Sequence, residues 1–519
     1  MSRKAGGAAD DRQILMPEAR PLLFALLLLL AALLRLHRLG ANSLWIDELI
    51  TIFQGTVKGH SLWVQFLDDV QNPLPMLIVA GFHRLSTADA WLRLPSVIFG
   101  VGAVPLLYVV TRRVVSERVA FFAAFLLAIH PLHIYHSQEV RGYAALLFFG
   151  LAATAVALGA KGRLSYRRGV ALCLLGSACI LSNLSGMFWM AGLALGLLVA
   201  GRLRRSHFLG WAACFLGMLL LTSQWWSASL RVHESGRVLP GAEMGEPLRG
   251  ETTFNAWSLP YTAFVMSHGA SLGPTVAEMH EGSATAMRPL LQEHLPWIVA
   301  AAGVNGVLFC AGLYGLRRRS WEMLAWILPP LAIALALAMR NVKPFNPRYV
   351  ISILPALLIV LAVGLDRLRP KAAMSFLVAW LILSGVALYR GWYVPSYMHE
   401  DVRGSVELVE LRQGDDDLIL APLINLVVEH YYDGSGEVVN LTPAQRSAPG
   451  GIATALAGLP SQPRYLWYLR ARPWSGDPGG KLLAGLEAHY WRLGHFPRPG
   501  VAIYLYDRQR PPGESAVEP

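Results

Sequence analysis

The sequence predicts a mainly α-helical, polytopic membrane protein with about eleven spans and a small α/β lobe outside the membrane, twelve or thirteen spans being the alternative counts. Three observations carry this expectation. Of 519 residues, 54% are apolar or aromatic and only 15% charged, whereas soluble domains carry roughly a quarter charged residues. The mean hydropathy is +0.42. The apolar residues are gathered into runs near the length that crosses a bilayer, about 20 residues, and the turns between alternate runs are basic.

This composition excludes a disordered chain, a collagenous repeat and a small disulfide scaffold. Sixteen tryptophans and seventeen tyrosines suit aromatic belts at membrane interfaces. The net charge of +11 is explained by Lys and Arg in cytoplasmic turns, so no nucleic-acid partner is expected. Cys173, Cys179, Cys214 and Cys310 sit inside apolar runs without paired spacing and read as small buried hydrophobes.

Taken in order, residues 1–19 read as a cytoplasmic tail, and the apolar run ending in Arg35-Leu36-His37-Arg38 as a retained first span, because no small-residue cleavage site follows it. The spans are expected near 20–38, 93–111, 118–136, 140–160, 168–184, 186–201, 208–226, 294–316, 322–340, 349–366 and 372–390. Pro73–Leu85 is apolar but short and interrupted by prolines, and reads as an interfacial or re-entrant helix. With eleven spans the basic turns at Arg112-Arg113, Lys161–Arg168, Arg202–Arg205, Arg317–Arg319 and Arg367–Lys371 all fall on the cytoplasmic side. The loops 40–92 and 227–293, the turn at Glu139 and everything from 391 then lie outside. The module 20–390 thus precedes an outer domain, 391–519. There, strand-like runs (Leu418–Ala421, Tyr465–Leu469, Val501–Tyr506) alternate with helix-like ones (Ile424–Tyr432, Ile452–Leu459, Lys481–Leu493).

Three polar clusters stand on that outer face. Asp47 and Glu48 follow Trp45 and Ile46 directly after the first span, where a carboxylate can act as general base towards a hydroxyl; the bland alternative is a helix start complementing its dipole. His130 to Tyr143 gathers three histidines, Glu139 and Arg141 between two apolar runs. Such groups are costly beside hydrocarbon and face a cavity or a partner. Arg340 to Tyr349 contains Lys343 and Arg348, which break the positive-inside pattern. A phosphate at the membrane surface accounts for them, with headgroup snorkelling as the alternative.

These stretches carry a resemblance. Trp45-Ile46-Asp47-Glu48, Gln71-Asn72-Pro73-Leu74-Pro75, Arg93-Leu94-Pro95-Ser96, Ser137-Gln138-Glu139-Val140-Arg141-Gly142-Tyr143 and Arg348-Tyr349 occur in the order seen in family 39 glycosyltransferases. That family includes protein O-mannosyltransferases and is similar to the bacterial aminoarabinose transferases that modify lipid A. The likeness spans about residues 20 to 365, and His399-Glu400-Asp401-Val402-Arg403 resembles the junction into the family's outer lobe. Many relatives carry His-Pro-Pro where this chain has Asn72-Pro73-Leu74.

The resemblance implies a GT-C fold in a bacterial inner membrane, and inverting transfer from a polyprenyl-phosphate-linked sugar to a lipid, glycan or protein acceptor. It implies Asp47 as the catalytic carboxylate, Glu48 as its neighbour in the acceptor site and Glu139 as the acidic position of the second outer loop. Arg141, Arg348, Lys343 and Arg93 become candidates for the donor phosphate, and Trp45, Asn72, Tyr143 and Tyr349 for acceptor contact or support. The sequence calls for no particular cofactor and leaves a divalent metal open: Asp47, Glu48 and Glu139 offer it carboxylates, but no ligand spacing demands one. The rival functions are a secondary transporter or flippase, which would use Glu139 and the histidines as a proton relay, and a polymerase or ligase of surface polysaccharide.

Overall fold

The computed structural model describes residues 19–56, 72–160, 164–203, 207–227, 258–281, 284–340, 345–414, 416–442, 445–446, 451–460 and 463–510. Every one of the eleven apolar segments contains a helix. They are Ala19–Leu36, Asp89–Arg112, Glu117–Ala128 with Pro131–Ser137, Tyr143–Gly159, Tyr166–Ser182, Gly186–Val199, Phe208–Leu221, Ala284–Leu316, Ser320–Met339, Leu354–Arg367 and Pro370–Tyr393. Among the described residues, four stretches are long and apolar enough to cross a membrane, five if one bent pair is a single span. Shorter apolar helices include Tyr143–Gly159, Gly186–Val199 and Phe208–Leu221. One of the four, Pro289–Met339, holds 51 residues. At 1.5 Å per residue that is about 76 Å, more than twice the hydrocarbon thickness. It is interrupted at Arg317, whose φ is 53°.

Two segments depart from straight helices, both at prolines. The run 118–136 bends by 58° between Ala128 and Pro131. His130 there is extended (ψ 119°), as the residue before a proline prefers. The run at 349–366 starts instead at Pro347 as a tight 3-10 turn, Pro347–Ile353, capped by the Asn346 side chain accepting the Arg348 N–H at 3.1 Å. Asn caps a helix start well, and proline needs no donor in its first turn. The cap holds Arg348 at the mouth of the bundle. Pro73–His83 is an eleven-residue helix, about 16 Å long, which packs against the helix Ile46–Thr56.

The C-terminal lobe is built on a five-stranded sheet of order β2-β1-β3-β5-β4. The strands are β1 Leu418–Leu420, β2 Glu437–Val439, β3 Tyr465–Ala471, β4 Trp491–Arg498 and β5 Val501–Asp507. β1 runs parallel to β2 and β3, and β5 runs antiparallel to β3 and β4. Both edge strands escape a pattern reading. β2 has three residues, too few for a period. The expected helix Lys481–Leu493 ends at His489 and gives way to β4, an exposed edge that tolerates Pro497 and a register shift at Gly494. A further helix, Val402–Arg412, opens the lobe.

The lobe is fastened to the loop that follows the first apolar helix. One apolar cluster joins Leu44, Leu49 and Ile52 of the loop to Val402, Val406 and Ile424 of the lobe. Arg403 donates to Asp89 at 3.0 Å and to the Ala41 carbonyl at 3.0 Å. The Tyr431 hydroxyl donates to Asp89 at 2.7 Å and accepts the Leu44 N–H at 2.8 Å.

Candidate active site

The segment Ser43–Trp45 is turned into the helix Ile46–Thr56 by Glu48. The Glu48 side chain is fully buried and reaches back to accept the Trp45 N–H at 3.2 Å, a side-chain-to-backbone tie at the helix start. The same carboxylate receives Arg93 through Nε at 2.9 Å and Nη2 at 2.7 Å, and the Val140 N–H at 2.7 Å. Arg93 sends its remaining donors to the carbonyls of Leu39, Asn42 and Ser43. Both side chains are therefore saturated by protein partners. They lock the loop after the first apolar helix, the helix Asp89–Arg112 and the Glu139–Val140 turn into one unit.

Asp47, the next residue back, points the other way and is 25% exposed. Its carboxylate lies 3.2 Å from Arg348 Nη1 and 3.8 Å from Arg141 Nη2. Arg141 Nη1 is anchored by the Asp47 carbonyl at 2.9 Å and Thr51 Oγ1 at 3.2 Å. Arg348 lies over the Tyr349 ring, 5.4 Å from its centroid. The Nε groups of both arginines are buried without a hydrogen-bond partner among the described residues. An unsatisfied buried donor is costly. Two cations with spare donors thus flank one partly exposed carboxylate.

Beside this trio sits Glu139, 3% exposed, whose Oε2 is 2.8 Å from His136 Nδ1 and whose Oε1 is 4.0 Å from His399 Nε2. Burial pushes the Glu139 carboxyl up, yet His136 and His399 outweigh that and hold it below the usual glutamate value. Burial lowers His399 too, against the pull of Glu139 and Glu400. His399 stacks flat on Trp45, with ring centroids 5.0 Å apart. The opposite end of the tryptophan's surroundings comes from the lobe: Arg472 stands 5.1 Å from the Trp45 ring and pairs with Glu400 at 2.5 Å.

The sequence-derived candidates therefore fall into groups. Asp47, Arg141, Arg348 and Tyr349 meet directly, and Tyr143 is buried next to them with its ring 4.6 Å from His136. Glu48 and Arg93 form the brace behind. Trp45 walls the site. Asn72 starts the helix Pro73–His83 without a side-chain cap bond, and Pro75 of that helix packs against Gly142. Lys343 lies outside the described residues. Sequence reasoning missed the lobe's contribution. His399 and Glu400 were visible only as a junction motif. Arg472 carries no motif; its signal is structural, a non-glycine residue at φ 46° just before Pro473.

Among the described residues no three His, Cys, Asp or Glu side chains gather as a metal site. The chemistry of the donors agrees. Glu48 is taken by four N–H groups, and two guanidiniums beside Asp47 repel a divalent cation.

No family model matches the chain, and no curated protein matches it by sequence. Solved structures do. The oligosaccharyltransferase AglB from Archaeoglobus fulgidus, determined with an inhibitory peptide and a dolichol-phosphate, is 14% identical with a TM-score of 0.52, over 94% of this chain and 74% of that one. ArnT from Cupriavidus metallidurans in the apo state is 14% identical with a TM-score of 0.54, over 95% and 99%. The same protein bound to undecaprenyl phosphate is 14% identical with a TM-score of 0.50, over 94% and 98%. At that identity the likeness is one of architecture. A helical module that carries its polar cluster at one end, under a small sheet lobe, and aligns with these proteins over 94–95% of its own length has the GT-C fold.

Proposed function

We propose that the chain is an integral membrane glycosyltransferase that moves a sugar, with inversion, from a polyprenyl-phosphate carrier to a hydroxyl or amine of a lipid, glycan or protein acceptor. The observation that carries this is the convergence of Arg348 and Arg141 on Asp47. Two of the similar structures were determined with a lipid phosphate, dolichol-phosphate in one and undecaprenyl phosphate in the other, which supports the same donor class. Eleven spans, a division into 1–19, 20–390 and 391–519, and an outward-facing site in a bacterial inner membrane belong to this proposal.

The chemistry follows from the charges. A phosphodiester entering at the headgroup layer takes the forks of Arg348 and Arg141, including the spare Nε donors. Competition with the phosphate loosens the hold of those arginines on Asp47 and makes its carboxylate a better base. Asp47 accepts the acceptor's proton, the acceptor oxygen or nitrogen bonds to the anomeric carbon, and the bond from that carbon to the phosphate oxygen breaks. The electron pair leaves on the polyprenyl phosphate, where the two guanidiniums stabilise it. Glu48 and Arg93 act as positioning residues, because every donor and acceptor they own is engaged by protein. Trp45 and His399 offer an aromatic wall for the sugar or acceptor.

The test is turnover of polyprenyl-phosphate-linked sugar by purified protein in detergent, with Asp47→Asn as the variant. Asn keeps size and hydrogen bonding but cannot take the proton, so turnover should fall at least about a hundredfold while donor binding persists. Unchanged turnover in Asp47→Asn would remove the general base, and no turnover in the wild type with any lipid-linked sugar would remove the function.

A further inference from the structure

The end of the bundle remote from Asp47 holds a second charged feature. A cavity of about 350 Å³ opens between the helices Asp89–Arg112, Tyr143–Gly159 and Tyr166–Ser182, walled by Leu106, Ala152, Val156 and Leu175, with Arg113 and Arg168 in its lining. Arg113 is twenty residues along the same helix from Arg93, about 30 Å at 1.5 Å per residue. The cavity is therefore a hydrocarbon thickness away from the candidate active site.

Its electrostatics are one-sided. The Arg113 guanidinium lies over Gly159 and donates to the Ala155 carbonyl. Its pKa is lowered by burial and by Arg112 and Arg168, with no carboxylate acting on it among the described residues. Two like charges on a dented apolar surface are unfavourable unless an anion joins them. The surroundings also decide the kind of anion. The walls are apolar, and Leu106, Val156 and Leu175 among them are only half-buried. A free phosphate would use the arginines and leave that surface bare; a lipid would use both.

We propose that this cavity binds an anionic phospholipid, its phosphate between Arg113 and Arg168 and an acyl chain along Leu106, Val156 and Leu175. The site is independent of the transfer chemistry and stands or falls separately from it. Each arginine beside an anionic headgroup is worth about a fivefold gain in affinity.

The experiment is native mass spectrometry of the purified, delipidated full chain, titrated with phosphatidylglycerol or phosphatidylcholine at equal concentration, and with inorganic phosphate as competitor. Phosphatidylglycerol should bind the wild type in preference to phosphatidylcholine. Arg113→Gln and Arg168→Gln should each weaken it about fivefold, and inorganic phosphate should not displace it. Ala152→Phe fills the cavity without altering charge and keeps the test open if the arginine variants misfold; it too should abolish the preference. Equal binding of the two lipids, an unaltered preference in Ala152→Phe, or displacement by millimolar phosphate would each overturn the proposal.

Discussion

Glu48 offers the sharpest test of how the site is held together. Its carboxylate and Arg93 are 0% and 3% exposed and share two hydrogen bonds at 2.7 and 2.9 Å. Replacing Glu48 by Ala leaves a guanidinium buried without its counter-charge, which costs about 3–5 kcal/mol. The Val140 and Trp45 N–H groups lose their acceptor as well, at about 1–3 kcal/mol each where water cannot reach them. The loss is far larger than an exposed ion pair would give. Thermal unfolding in detergent, followed by tryptophan fluorescence, should show a transition lowered by several degrees. The two N–H groups bond to different oxygens of Glu48, so Glu48→Gln keeps an acceptor for one of them and should fall between Ala and the wild type. The pair Glu48→Leu with Arg93→Met removes both charges and should recover the share of the loss due to the unpaired guanidinium, but not the share due to the Trp45 and Val140 N–H groups. A Glu48→Ala protein as stable as the wild type but without activity would refute the argument and return Glu48 to direct contact with the acceptor.

Three further expectations follow from the same contacts. Arg348→Lys keeps the charge but loses the planar fork, so turnover at limiting donor should drop sharply; unchanged donor dependence would leave Arg348 as a headgroup anchor. Gly142→Ala should be poorly tolerated, because a methyl there overlaps the Ser182 carbonyl and presses on Pro75; normal yield and thermal midpoint would show that the turn can yield. Glu400 is pushed up by burial but held below the usual glutamate value by Arg472, so the stability it adds is present above about pH 4.3 and is lost as pH falls through its lower folded value. Glu400→Gln should flatten the acid side of a plot of thermal midpoint against pH, and an unchanged acid limb would remove this pair from the docking of the lobe.

Much of the architecture was legible because its physical cause is local. An apolar run announces a helix, and each of the eleven did. Strands β1, β3 and β5 were visible as short apolar runs, since they lie inside the sheet and are buried. β2 and β4 were not, because edge strands need little burial and so leave little pattern. The residues of the site were legible one by one, but not their division of labour. Asp47 and Glu48 are adjacent and chemically alike. Their opposite fates follow from the first turn of a helix, which sends one carboxylate back to Arg93 and the other out to Arg348. Arg472 was out of reach of any spacing argument, since it meets Trp45 only through the docking of a lobe made hundreds of residues later.

That docking bears on how the protein is made. Asp47 leaves the ribosome early, yet its ion-pair partner Arg348 follows 301 positions later, and the Tyr431 hydroxyl that holds Leu44 comes 387 positions after it. Contacts of such separation form late and slowly. A half-synthesised chain carries its carboxylate with neither Arg348 nor the lobe present, however well its first helices have formed. Under the proposed function, the site is whole only once Arg348 and the lobe have been made and have docked.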